Sequence, residues 1–504
     1  MDAAAMSPAS LQFAAASQIV VELRAAGYEA YLAGGCVRDL LLGREPHDCD
    51  VATSATPDVV LRLFPRTFAV GAHFGVVLVS SAARSPSNDA SAAQAESAPP
   101  QVAQVLTEVA TFRSDGAYSD GRHPDAVRYT TSAEEDVRRR DFTVNGLLLD
   151  PTILSSAVAN GQATKNAGPS TPPRFAQDDS SIDCSDDLRT AVIDHVGGIA
   201  DLEAGVIGAI GRPEPRFEED RLRMLRGVRF AARFGFELEA GTAAAMRALA
   251  AKTATVSRER VRDELTKMLT EGRARRAFEL LDETGLLAHA LPEVARMKGV
   301  EQPPQFHPEG DVWTHTLLLL GQLEASCPLT LAWGALLHDV GKPATFRRAE
   351  QIRFDGHVQV GVAIAADICR RFRFSNDETR QILALVENHM RFADAPRMKA
   401  STLKRFFRLD NFERHLALHR MDCMAGSGNL EHWEFVRERF QAMPEEAVRP
   451  HPLISGRELI AAGYKPGAGF KEMLRAVEDA QLEGTIGTAE EALRLILGRY
   501  PTIE

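Results

Sequence analysis

The stretch from Leu32 to Thr53 leaves few folds open to this chain. It begins Leu-Ala-Gly-Gly-Cys-Val-Arg-Asp-Leu-Leu-Leu-Gly and closes on His47-Asp48-Cys49-Asp50-Val51-Ala52-Thr53. Tyr28–Leu32 predicts a short strand, Gly34-Gly35 a tight turn, and Val37–Leu42 one or two turns of helix. That helix opens where a phosphate would meet backbone N–H groups. Asp48 and Asp50 fall on what reads as a second strand, where residues i and i+2 share a face. Two carboxylates on one face repel each other unless a cation sits between them. Mg²⁺ takes carboxylates together with phosphate oxygens, and a pair of such ions can clamp both ends of a phosphoryl displacement.

The sequence around this stretch sets the scale. At 504 residues the chain exceeds one ordinary core, which predicts two to four domains. It is 45% hydrophobic and 25% charged, as in globular proteins, with no apolar run long enough to span a bilayer. The N-terminus lacks a basic-then-apolar pattern and its first arginine is Arg24, which argues against a signal or transit peptide. Six scattered cysteines (36, 49, 184, 327, 369 and 423) without a Cys-x-x-Cys suit a reducing cytoplasm. The net charge of −11 weighs against nucleic acid only on average, because a local basic stripe is what meets phosphates.

Ser10–Gly27 predicts an amphipathic helix, and Thr56-Pro57-Asp58 opens another with Thr as N-cap and Pro at the first position. Thr67–Val79 is strand-like with breaks at Gly71 and Gly75. Residues 80–104, rich in Ser, Ala, Gln and Pro, read as a disordered insertion. Gln104–Arg113 returns as a strand bearing Glu108, which composition alone assigns to an edge facing water. Asp136-Val-Arg138-Arg139-Arg140-Asp141-Phe142-Thr143-Val144-Asn145-Gly146 follows, and then a second Ser/Pro/Asp-rich insertion at about 151–190.

In this order, strand, Gly-Gly, helix and Asp-x-Asp resemble the nucleotidyltransferase head of the DNA polymerase β superfamily. The Gly-Gly-Cys-Val-Arg-Asp-Leu-Leu-Leu-Gly string narrows the resemblance to the class II branch, which holds tRNA CCA-adding enzymes and bacterial poly(A) polymerases. The resemblance implies a small mixed sheet with helices, an α+β head over residues 1–200. It implies that Asp48 and Asp50, joined by Glu108 in Glu108-Val-Ala-Thr111-Phe112-Arg113, hold two Mg²⁺. One ion would lower the pKa of a primer 3′-OH and the other would steady a triphosphate. It places Gly34, Gly35, Arg38 and Arg140 around the phosphates and Asp141 on the ribose hydroxyls, with Asn145 in support. The chemistry suits these roles, since guanidinium offers a planar fork to phosphate and a carboxylate accepts from a 2′-OH.

The next segment, Arg216-Phe217-Glu218-Glu219-Asp220-Arg221-Leu222-Arg223-Met224-Leu225-Arg226-Gly227-Val228-Arg229-Phe230, lies in a run (Arg212–Phe236) that is helical by period, with Leu222, Leu225, Val228 and Phe230 inward. Unaided, Asp220 and Arg223 would be an i,i+3 ion pair worth about 0.2–0.5 kcal/mol. Glu-Asp-x-x-Arg resembles the class II motif in which Asp and Arg act as a protein template for the incoming base. An accepting Asp and a donating Arg fit cytosine and adenine, whereas uracil and guanine present the reverse pattern. Each bidentate mismatch costs about 1–3 kcal/mol. Arg226 and Arg229 would line the phosphate path. Ser257–Leu265, with Arg273, Arg275 and Arg276, extends a basic stripe across an all-α neck over 201–300, suited to a tRNA backbone.

Further on, His307, His315, Leu336-Leu-His338-Asp339-Val-Gly-Lys342-Pro343, His357, His389 and Asp422 follow the His…His-Asp…Asp order of HD-domain metal phosphohydrolases. This resemblance implies an HD domain over 301–425 with His315, His338, Asp339 and Asp422 as ligands, and His357 and His389 as further candidates. Imidazole and carboxylate donors suit Mn, Fe, Ni or Zn, or Mg through the carboxylates. A helical tail over 426–504 completes the chain.

These resemblances imply template-independent addition of C and A from CTP and ATP to tRNA 3′ ends, releasing pyrophosphate. The expected partners are tRNA, CTP and ATP, with no membrane. Oligomeric state is not legible. Sister readings are a partial enzyme adding only CC or only A, and a poly(A) polymerase. Gly71-Ala-His-Phe-Gly75 is less basic than the poly(A) polymerase segment and argues for the CCA type. A uridylyltransferase joined to an HD domain would need regulatory modules for which the tail leaves little room. From another class comes an HD phosphohydrolase with a vestigial head.

Overall fold

The computed structural model describes residues 8–46, 48–69, 75–82, 104–116, 127–154, 186–305 and 307–500. The chain divides into two compact units, 1–256 with 283–286 and 257–282 with 287–504. The expected neck is thus shared between them. Among the described residues no helix is long and apolar enough to cross a membrane.

The first unit is built on a mixed sheet. Its strands are β1 (Ala30–Ala33), β2 (Asp50–Thr53), β3 (Thr67–Phe68), β4 (Val76–Ala82), β5 (Gln104–Thr111), β8 (Leu147–Leu149) and β9 (Val192–Asp194), in the order β3-β4-β5-β2-β1-β8-β9. A separate ribbon pairs β6 (Arg113–Asp115) with β7 (Val127–Tyr129). Register fixes what matters for chemistry. β1 pairs antiparallel with β2, Ala33 opposite Asp50, so the chain leaves β1 for the Gly34 turn beside the first residue of β2. β2 runs parallel to β5 with Val51 opposite Val109, which brings Glu108 alongside Asp50.

Helix α1 (Pro8–Ala25) buries Phe13, Ile19, Val20 and Leu23, each burial contributing on the order of 1.5–3 kcal/mol. Helix α2 (Gly35–Leu41) follows the turn, α3 (Pro57–Leu63) follows β2, and α4 (Ala133–Arg138) leads into a 3₁₀ turn at Thr143–Asn145. The structure departs from the sequence expectations in three places. β2 begins at Asp50, so Asp48 lies just before the strand. The run expected as one helix over 212–236 breaks into Pro213–Glu219 and Leu222–Phe234, with Asp220 extended at φ −141° and ψ 104°. The neck also carries one short parallel pair, Val206–Ile207 with Glu237–Leu238. Of the two expected insertions, residues 83–103 and 155–185 lie outside the described residues, as do residues 70–74 of the segment expected to separate CCA-type from poly(A)-type heads. The described edges are ordered, β4 reaching Ala82 and a helix covering Asp186–Ala191.

The second unit is helical apart from a small hairpin, Arg347–Arg348 with Ile352–Arg353. Trp333 anchors its centre, fully buried with Phe372 and Phe374 edge-on at 5.8 and 5.1 Å. Phe392, Phe406, Phe412 and Val436 form one apolar cluster. Ile454, Leu459, Tyr464, Val477, Ala492 and Ile496 form another, in the part expected as a tail. Capping boxes start the helices at Ser375, Ser455 and Thr488.

Gly198 opens the helix that packs on the 3₁₀ turn. A Cβ there would run into the Thr143 carbonyl and lie 2.9 Å from Leu147 Cδ2. Gly198→Ala is therefore expected to destabilise the head by about 1–3 kcal/mol. A denaturation midpoint indistinguishable from wild type would show that the helix can slide away from the turn.

Candidate active site and metal centre

In the head, backbone and charge converge on β1, β2 and β5, the three middle strands of the sheet. Gly34 adopts φ 76° and ψ −127°, and its N–H donates to the Leu147 carbonyl at 3.0 Å. A side chain there would be strained, and its Cβ would lie 3.1 Å from Arg140 Nη1, so the Gly34 turn and the Arg140 fork face each other. Asp48 is exposed, Cys49 is buried and Asp50 is half-buried, an alternation that keeps both carboxylates on one side. Glu108 sits on the exposed face of β5.

The proximity of these groups shows in their charges. Burial, then the neighbouring Glu108 and Asp48 carboxylates, push Asp50 up to about 6, while Arg140 pulls it down. Glu108 and Asp48 are thus the acidic neighbours that Asp50 senses, and Arg140 the basic one.

The remaining sequence-predicted residues fall into two groups. Arg38 is buried, donating from Nη1 to Asn145 Oδ1 at 2.5 Å and from Nε to Asp39 Oδ1 at 2.9 Å, with its guanidinium 4.4 Å from the Phe234 ring centroid. It braces the turn from below. Asp141 accepts from Arg226 Nη2 at 2.7 Å and Nε at 2.9 Å, from Asn145 Nδ2 at 3.1 Å and from Phe142 N at 2.8 Å. Burial alone would raise its pKa, but Arg226 and these donors hold it down at about 2. Arg229 is buried against the Phe230 ring at 4.3 Å. Arg223 finds its carboxylate partner in Glu219, at 2.6 Å, and donates to the main-chain oxygens of Arg216 and Arg139, both at 3.1 Å. The helix break displaces Asp220 from the simple i,i+3 geometry, and its Oδ1 accepts from Leu222 N at 3.1 Å. Glu219 is the residue that sequence reasoning passed over here, although it is the Glu of the Glu-Asp-x-x-Arg string.

The second unit holds a histidine and carboxylate centre. His315 Nε2 lies 3.0 Å from Asp422 Oδ1, and His338 Nε2 lies 3.2 Å from Asp339 Oδ2 and 3.9 Å from Asp422 Oδ1. His357 and His389 approach Asp339 Oδ1 with their Nε2 atoms at 3.9 and 3.7 Å. The Nδ1 atoms of His338, His357 and His389 donate to the carbonyls of Ala335, Phe354 and Val386 at 2.8, 3.0 and 2.7 Å. That assigns their Nε2 atoms as lone pairs. Those three nitrogens are buried, aimed at Asp339, and have no hydrogen-bond partner.

A protein does not ordinarily bury three unsatisfied imidazole acceptors around a carboxylate, whereas a divalent cation is bound by that donor set. His315 turns Nδ1 to Glu309 Oε1 at 2.7 Å, the outer carboxylate that orients a ligand histidine. Asp422 and Glu309 push His315 up to about 9 against its burial, and burial pushes His389 down to about 4. Lys342 Nζ sits 2.7 Å from Asp339 Oδ2. Glu309 was not a candidate from sequence; its only signal was the His307-Pro-Glu309 string ahead of His315.

A glycine turn facing an arginine, beside carboxylates on a mixed sheet, with a histidine and carboxylate centre in the helical unit, is the arrangement of a nucleotidyltransferase joined to an HD domain. Comparison with known families agrees. The Poly A polymerase head domain matches residues 30–161, the "Probable RNA and SrmB- binding site of polymerase A" matches 235–298, and the HD domain matches 312–415. The CCA-adding enzyme of Geobacillus stearothermophilus is 30% identical over 95% of both chains, and that of Geobacillus kaustophilus 29% identical over 95% of both. The crystal structure of the Bacillus stearothermophilus CCA-adding enzyme in complex with CTP superposes with a TM-score of 0.65 at 26% identity, over 98% of both chains. The chain belongs to the CCA-adding enzyme family. Its nucleotidyltransferase and HD domains imply dependence on divalent metal.

The raised Asp50 pKa yields a pH prediction. The folded, metal-free head binds a proton at Asp50 between about pH 4 and about pH 6, where the unfolded chain has already lost it, so this group's contribution to stability falls as pH rises through that window. A divalent cation replaces the proton and offsets the loss. Adding one should therefore raise the melting temperature more at about pH 7 than at about pH 5, and Asp50→Asn should remove most of that difference. The same thermal shift at both pH values would mean that Asp50 does not compete for the ion.

Proposed function

We propose that this protein adds C and A to the 3′ end of tRNA without a nucleic-acid template, releasing pyrophosphate, in the cytoplasm. The observation that carries the reading is the juxtaposition of Asp48, Asp50 and Glu108 with the Gly34 turn and Arg140, in a chain alike over its length to CCA-adding enzymes, one of them solved with CTP. The reaction joins the 3′-OH of the RNA to the α-phosphorus of the incoming nucleotide. The bond from that phosphorus to the bridging oxygen breaks, and pyrophosphate leaves.

Asp48, Asp50 and Glu108 would hold two Mg²⁺, which supply charge neutralisation and an acidified hydroxyl when bound. The chain itself supplies binding and orientation. The Gly34 turn lets a triphosphate approach main-chain N–H groups, and Arg140 meets its oxygens. Asp141, already fixed by Asn145 and Arg226, accepts from the ribose hydroxyls. Asp220 and Arg223 select cytosine and adenine. The head over 1–200 carries the chemistry, the neck over 201–300 the base choice and RNA contacts, and the segments from 301 and 426 the HD centre and a tail gripping tRNA.

The assay uses purified protein, Mg²⁺ and one tRNA transcript ended bare, at C and at CC, with CTP and ATP supplied singly and together. Completion of CCA on the bare end followed by a stop supports the reading. Stopping at CC, adding only the final A, or running into a poly(A) ladder assigns a sister activity instead. Asp48→Ala should lower addition by at least about a thousandfold, the loss expected when a transition-state charge interaction is removed.

The three unpartnered imidazole nitrogens around Asp339 favour a second activity. The HD centre binds Mn, Fe, Ni or Zn, or Mg through its carboxylates, and hydrolyses 2′,3′-cyclic or monoester phosphates. Asp339→Ala should strip bound metal, measured by elemental analysis, and abolish hydrolysis while sparing nucleotide addition. Unchanged metal content would remove this reading.

A further inference from the structure

Asp136 is not among the residues that the motifs single out, yet the site hangs on it. It lies in α4 with 2% of its surface exposed. Its Oδ1 accepts from Arg139 Nε at 2.9 Å and Nη2 at 2.7 Å, and from Arg113 N at 3.3 Å. Its Oδ2 accepts from Arg140 Nη2 at 3.0 Å and Nε at 3.4 Å. One buried carboxylate thus docks the same edge of two consecutive guanidinium groups. The corner of Arg140 it does not hold, Nη1, is the atom that faces Gly34. Arg140 is also the cation that the catalytic-side Asp50 senses.

The grip has a second consequence. The main-chain oxygen of Arg139 seats Arg223 Nη2, and that of Arg138 seats Arg216 Nη2. Arg216 and Arg223 share Glu219 Oε2, at 3.0 and 2.6 Å. Pinning Arg139 and Arg140 to Asp136 therefore fixes both the fork beside the phosphate turn and the carbonyl behind the base-reading arginine.

We propose that Asp136 is a positioning residue for nucleotidyl transfer, setting Arg140 against the triphosphate and Arg223 against the base through one buried carboxylate. The inference rests on reading the head as a nucleoside triphosphate site. Without the charge, the two guanidiniums would repel each other and swing outward. Asn is the informative replacement, because its amide group sets a donor against a donor while volume is kept.

The test compares wild type, Asp136→Asn, Arg140→Ala and the double variant as full-length protein. Loss of a charge-assisted hydrogen bond predicts that Asp136→Asn raises the KM for CTP, and the inhibition constant of pyrophosphate, by about tenfold to a hundredfold. A smaller fall in kcat and several-fold weaker discrimination against UTP should accompany it. If Asp136 acts through Arg140, the double variant binds pyrophosphate no more weakly than Arg140→Ala alone. Lower thermal stability with unchanged KM and pyrophosphate inhibition would overturn the proposal, as would additive losses in the double variant. Should Asp136→Asn fail to fold, Asp136→Glu keeps the charge but displaces it by one methylene, and an unchanged KM for CTP would then overturn it. Calorimetric binding of CTP to the same proteins separates the two readings. Wild type that binds CTP but extends no tRNA refutes the proposed function, while the affinity ratio between wild type and variant still decides the role of Asp136.

Discussion

Like charges held close together cost a folded protein free energy, and the head is arranged around one such cost. Asp50 lies half-buried between Glu108 and Asp48, in a register set by β1–β2 and β2–β5 pairing rather than by any attraction among the carboxylates. The sheet holds the acids in place; the hydrophobic packing under it supplies the stability they consume. Folding has thereby accepted a repulsion that an unstructured chain would avoid and that a cation would relieve. The Gly34 turn follows from the same register, since the chain must leave β1 beside Asp50, and only glycine fits with Arg140 so near.

The carboxylates of the chain sort into two kinds. Asp136 and Asp141 are matched by arginines and held below the ordinary carboxylate range. They are finished structures: their ion pairs fix geometry in the resting protein. Asp50 lacks such a balance and sits above that range. Asp339 combines both: Lys342 holds it well below that range against its burial, while His338, His357 and His389 approach it without a donor to offer. Matched carboxylates build the walls, and the unmatched acceptors mark where a cation belongs.

Much of this was legible in the sequence, for reasons that differ by element. The turn and the Asp-x-Asp pair were readable because glycine and alternating faces are local properties. The histidine and carboxylate centre was readable as an order of residue types, although His315, His338, Asp339 and Asp422 meet only in the folded unit. The break at Asp220 was not readable, because Phe217, Leu222, Leu225 and Val228 continue one apolar face across it and all are buried. Periodicity reports which side is inward and is silent on a single extended residue within the run. Glu219, Glu309 and Asp136 escaped notice for another reason. An acid three or four residues from an arginine, as Asp136 and Glu219 are, usually decorates a solvated helix, and Glu309 stands in a turn six residues before His315, a spacing that no helical period marks.

The break at Asp220 ties the helix bearing Arg223 and Arg226 to the segment bearing Arg140. The extended residue turns Leu222–Phe234 so that Arg223 reaches the Arg139 carbonyl and Arg226 reaches Asp141. Arg223 and Arg226 are thereby bonded to the short segment that carries Arg140. The carboxylate and guanidinium frame at Asp136, Arg139 and Arg140 is therefore coupled, through the Arg139 carbonyl, to the helix that begins after Asp220.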